Sequence, residues 1–108
     1  MDAGALQAVT SVISLVEVLV LPIRFANDVL QKQYTDLLLQ SVHFETRAVT
    51  VDAAQIAGDL RARYNLRTPD ALQVAVAIAA GCQAFLTNDT TLKRVSEISI
   101  LVMDELEL

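Results

Sequence analysis

Apolar positions in this chain fall into one long run near the start and into shorter periodic groups beyond it. Residues 3–23 are apolar almost throughout, with Glu17 the single charge. Residues 9–13 read as a short strand, and Ser14 begins a helix that stops near Pro22, because proline supplies no N–H to continue it. Asn27 and Asp28 are favoured helix caps. They introduce a second helix over 28–41 whose Leu30, Tyr34, Leu37 and Leu38 share one face. Residues 47–51 alternate and are rich in β-branched side chains, which predicts a strand. Asp52 followed by Gln55 has the capping-box spacing. The helix it opens carries an apolar stripe of Ile56, Leu60 and Tyr64, with Asp59, Arg61 and Arg63 facing water. Thr68-Pro69 opens another helix, with Thr68 as cap and the proline at home in the first turn. That helix runs to about Ala80, where Gly81 is a suitable stop. Residues 84–87 form a short buried strand, 89–95 a helical turn, and 98–103 a last strand. Strands separated by helices at this spacing predict an α/β fold with a mostly parallel sheet.

Composition sharpens this picture. The chain has 108 residues, of which 54% are apolar and 19% charged, enough for a core and too little charge for disorder. With three Gly and two Pro there is no linker, so residues 1–108 read as one domain. Tryptophan is absent, so the core is built from Ala, Val, Leu and Ile. The net charge of −5 argues against a general nucleic-acid coat, which needs a basic surface. It does not argue against an enzyme whose metal ions bridge carboxylates to a single phosphate. Cys82 stands alone, which excludes an intrachain disulfide, suits a reducing cytoplasm and reads as a small buried hydrophobe. The apolar opening is neither a signal peptide nor a membrane span. No Lys or Arg precedes Arg24, and Thr10, Ser11, Ser14 and Glu17 interrupt the run.

Three of the thirteen acidic residues occupy surroundings where a charge is costly or directed. Asp70 starts a helix that is apolar on nearly every face and therefore buried, which places its N-terminus at a crevice. Interaction with the helix dipole would explain the same residue without any function. Asp89 follows the strand 84–87 at its carboxyl end, where ligand crevices lie in open α/β sheets. N-cap duty for the next turn, by Asn88 or Asp89, is its structural alternative. A helix over 69–81 carries the chain back roughly 20 Å, and the strand after it returns Asp89 to the edge where Asp70 began. Two convergent carboxylates with no Cys or His cluster favour hard divalent cations such as Mg²⁺ or Mn²⁺. Glu17 lies in an apolar helix, where a charge must be paired, exposed or metal-bound; spacing alone does not bring it to the other two. His43, the one histidine, reads as a surface or half-buried residue. Arg61, Arg63 and Arg67 precede Asp70 and either steer a phosphate backbone or form a solvated face.

The blocks Arg67-Thr68-Pro69-Asp70-Ala71-Leu72, Gly81, Phe85-Leu86-Thr87-Asn88-Asp89 and Leu92 resemble the C-terminal half of a PIN domain of the VapC toxin type. The segment Ser11-Val12-Ile13-Ser14-Leu15-Val16-Glu17-Val18 is similar to that family's Glu-bearing helix. The resemblance implies a PIN-like three-layer sandwich and metal-dependent endoribonuclease activity. Glu17, Asp70 and Asp89 would be the catalytic carboxylates and the ligands of Mg²⁺ or Mn²⁺. It also implies RNA as substrate and an antitoxin protein as a partner. The family's first strand, which ends in a further metal-binding Asp, has no counterpart here, since Asp2 has only Met1 before it. On this reading the domain is N-terminally incomplete. It is a shortened gene product, or a chain that completes its sheet in a homodimer or higher oligomer, or a non-catalytic remnant serving as an interaction module.

Overall fold

The computed structural model of the chain describes residues 8–40, 44–87 and 89–102. Asp2, Ser41, His43, Asn88 and Met103 lie outside the described residues. The chain divides into two compact units, Met1–Ala48 and Val49–Leu108.

The first unit contains β1 (Ala8–Ser11), α1 (Val12–Arg24), α2 (Asp28–Gln40) and β2 (Phe44–Arg47). β1 and β2 pair in parallel, with Thr10 opposite Thr46 and Ser11 opposite Arg47. Ser11 is the hinge between strand and helix. Its backbone is extended, its side chain is buried, and its hydroxyl accepts from the Ile13 amide at 3.2 Å. That cap starts α1 two residues earlier than Ser14, whose hydroxyl instead accepts from the Thr10 hydroxyl. The helix also continues past Pro22 to Arg24. A proline this near the end removes one N–H of the last turn only, and its own carbonyl accepts from the Asn27 amide at 2.8 Å. Asn27 caps α2 as expected, its Oδ1 accepting from the Leu30 amide at 3.1 Å. Leu38 is the buried residue of that helix. The Thr46 hydroxyl donates to its carbonyl and ties β2 to α2.

The second strand ends at Arg47, the first residue of the expected 47–51 segment. Thr50 caps α3 (Val51–Tyr64), its hydroxyl accepting from the Ala53 amide, so Val51 enters the helix and Asp52 sits in the first turn instead of at the cap. Helix α4 (Thr68–Ala79) similarly begins one residue early. Arg67 holds the N-cap position without a side-chain cap bond, and Thr68 and Pro69 lie inside the first turn. β3 (Ala84–Thr87), a 3₁₀ turn (Thr90–Arg94) and β4 (Ser99–Val102) complete the unit. β3 and β4 are parallel, with Phe85 opposite Ile100 and Thr87 opposite Val102. All described strand pairs are therefore parallel and alternate with helices, as the α/β reading required.

The core of this unit lies between α3 and α4. Ala53, Ala57 and Leu60 meet Ala71, Val74, Ala75 and Ala77, with Leu92, Val95 and Ile98 closing the far side. Cys82 is half-buried against this cluster. Asn65 ends α3 in the left-handed region at φ 54°, a conformation asparagine tolerates better than most residues. Among the described residues no helix is long and apolar enough to cross a membrane.

Candidate metal centre

Asp70 lies in the first turn of α4, where the helix dipole favours a negative charge. Its side chain is 21% exposed, and Arg67 Nε donates to its Oδ2 at 3.0 Å. Asp89 lies just beyond β3 and caps the 3₁₀ turn. Its amide donates to the Thr87 hydroxyl at 3.0 Å, while its Oδ1 accepts from the Thr91 amide at 2.9 Å and the Thr91 hydroxyl at 2.6 Å. Arg94 Nε in turn holds the Thr91 carbonyl at 2.8 Å. The two bonds from Thr91 hold the Asp89 carboxyl below its ordinary range, and the positive charges of Arg67 and Arg94 act in the same direction.

One guanidinium thus acts on both carboxylates: Arg67 bonds to Asp70 directly and its field reaches Asp89. None of the Thr91 bonds uses Oδ2 of Asp89, so one oxygen of that carboxylate lies outside the cap. Hard oxygen donors of this kind fit Mg²⁺ or Mn²⁺, which take one or two protein carboxylates and fill the remaining positions with water and phosphate oxygens. Among the described residues no group of three or more His, Cys, Asp or Glu side chains is gathered to hold a metal.

Glu17 belongs to the first unit, where it is exposed on α1. Its charge is therefore not buried in an apolar environment, which resolves the cost that the surrounding sequence implied. Three of the remaining described acids form surface ion pairs. Asp36 pairs with Lys32, Glu45 with Arg47, and Asp59 with Arg63.

The three arginines before Asp70 have separate tasks. Arg61 Nε donates to the Leu66 carbonyl at 2.8 Å and braces the turn between α3 and α4. Arg63 pairs with Glu97 and stacks on the Tyr64 ring, whose hydroxyl donates to Glu97 at 2.6 Å and meets Ser96. The Tyr64 hydroxyl, and after it the charge of Arg63, lowers the pKa of Glu97. Sequence reading missed this cluster, whose partners lie more than thirty positions apart. It also missed the support given to Asp89. The Thr-x-Asp-x-Thr pattern of Thr87, Asp89 and Thr91 was its local signal, since hydroxyls and carboxylates at this spacing form turns.

Comparison with known proteins bears on the fold and on the family. No curated protein matches the sequence. Two solved structures share the fold. A toxin-antitoxin complex from Klebsiella pneumoniae superposes with a TM-score of 0.68 at 24% identity, covering 91% of this chain and 77% of that one. VapBC2 from Rickettsia felis, bound to a DNA fragment from its promoter, gives 0.70 at 19%, covering 87% and 73%. Both likenesses concern the backbone, while the sequence itself carries the assignment: the PIN domain model matches residues 2–98, and the chain belongs to the PIN domain family.

Proposed function

We propose that this chain is a metal-dependent endoribonuclease, the toxin of a toxin-antitoxin pair, working in the cytoplasm. The observation that carries the reading is the position of Asp70 in the first turn of α4 and of Asp89 just beyond β3, in a PIN-family chain. Asp70 and Asp89 would hold Mg²⁺ or Mn²⁺, directly or through water. Glu17 is proposed as a further catalytic and metal-binding carboxylate on the strength of its matching position in the family's Glu-bearing segment. The bound cation supplies a Lewis acid that activates water and stabilises charge on the phosphate under attack. The chain's own part is to orient both aspartates: Arg67 holds Oδ2 of Asp70, and Thr91 fixes one oxygen of Asp89.

An antitoxin protein is the proposed partner, supported by the toxin-antitoxin complexes that share the fold. A homodimer or higher oligomer belongs to the same proposal. The rival reading, a non-catalytic interaction module, draws on the described residues gathering fewer than three ligands.

Cleavage of single-stranded RNA separates the two. Added Mg²⁺ or Mn²⁺ is expected to support cleavage and EDTA to abolish it. Asp70→Asn should lower the rate by about a hundredfold or more, with melting temperature little changed. Cleavage that persists in EDTA, or is unaltered in Asp70→Asn, would sink the reading.

A further inference from the structure

Arg61 and Arg63 are engaged by the Leu66 carbonyl and by Glu97, whereas Arg67 turns to Asp70. Its side chain is 79% exposed, and its Nε donates to Oδ2 of a carboxylate assigned above to metal binding. Its charge also reaches the second such carboxylate, Asp89. Exposed ion pairs of this kind are weak and readily exchanged. Arginine is also the side chain best shaped to grip a phosphate through paired N–H donors.

We propose that Arg67 is a displaceable counter-ion of Asp70, which yields that carboxylate to a divalent cation and then binds a phosphate of the RNA backbone. The proposal rests on the metal-nuclease reading above. In it Arg67 has opposite effects on the two ligands: it competes with the metal and assists the nucleic acid. A residue serving only the fold would weaken both. Its N-cap position carries no side-chain cap bond, so replacing it leaves the helix start intact.

The test compares wild type with Arg67→Gln, Arg67→Lys and Asp70→Asn. Mn²⁺ binding is followed by electron paramagnetic resonance of the free ion. Binding of a short single-stranded RNA is measured in Ca²⁺ at several salt concentrations. Arg67→Gln is expected to bind Mn²⁺ about two- to fivefold more tightly. It should bind the RNA at least about threefold more weakly, with a salt slope smaller by about one. Arg67→Lys keeps the charge and should hold Mn²⁺ as wild type does, and Asp70→Asn should lose Mn²⁺ affinity. Mn²⁺ binding by wild type that is as tight as, or tighter than, that of Arg67→Gln overturns the role of Arg67 and leaves the carboxylate site standing. Unchanged RNA affinity overturns its phosphate contact. If wild type and Arg67→Gln both fail to bind Mn²⁺, the metal-site reading falls, and this proposal with it.

Discussion

Helices α1 and α4 are written in almost the same apolar alphabet, yet they meet different ends. In α4, Ala71, Val74, Ala75, Val76 and Ala77 are all buried. In α1 only Pro22 is buried, although every residue except Ser14, Glu17 and Arg24 is apolar. The difference lies in side-chain size. Alanines on α4 face alanines on α3, so the two backbones approach closely and fill the space between them. α1 has neither Ala nor Gly. Leu15, Val18, Leu19 and Pro22 line one half-buried to buried face, while Val12, Val16, Val20 and Ile23 form a second face open to solvent. A shallow apolar groove lined by Val16, Leu19, Val20, Ile23 and Arg24 follows this helix. Apolar content thus selects a helix for possible burial, and small residues in register decide whether burial is completed.

Replacing one valine on each helix by aspartate breaks the comparison most sharply. Val74 is 0% exposed, so Val74→Asp should cost more than about 4 kcal/mol and leave the second unit unfolded in urea titrations. Val16 is 61% exposed, and Val16→Asp should change stability by less than about 0.5 kcal/mol. Equal losses in the two variants would show that both helices are buried alike in solution.

A smaller effect is expected where α3 meets the loop before β4. Tyr64→Phe removes a hydroxyl that donates to Glu97, and about 1 kcal/mol of stability should go with it in thermal melts. Smaller still is the acid response of the same contact. Because the Glu97 pKa is lowered in the folded chain, its contribution is complete above the unfolded carboxyl pKa and is lost as pH falls through the lower, folded value. A plot of stability against pH should therefore have a shallower acid limb in Glu97→Gln than in wild type. Parallel limbs would place the acid sensitivity elsewhere.

Much of the fold can be read locally. The apolar stretch of α4, broken only by Gln73, announced its burial, and Asn27 announced its cap, because both depend on neighbours within a few positions. Boundaries were misread where one signal served two elements. Thr50 and Val51 are good strand formers, but a threonine with an extended backbone is also a helix cap, and here the cap prevailed. Pro22 looked like a stop, although in the last turn it forfeits too little to end the helix. Asp89 proved to be the N-cap that its position allowed, which is compatible with a second task for its other oxygen. The separate partners of Arg61, Arg63 and Arg67 were not legible, since they depend on which direction each side chain takes from a turn.

That turn also sets a timescale. The Leu66 side chain is buried and its carbonyl is held by Arg61, and the Arg67 carbonyl accepts from the Ala71 amide at 3.0 Å. The backbone on both sides of the Arg67 side chain is thereby pinned, and the guanidinium stands on it like an arm on a fixed shoulder. Its departure from Asp70 needs only rotation about side-chain bonds, an event of picoseconds to nanoseconds for an exposed residue. Exchange at the carboxylates would then proceed without any rearrangement of the fold, at a pace set by arriving ions and not by the protein.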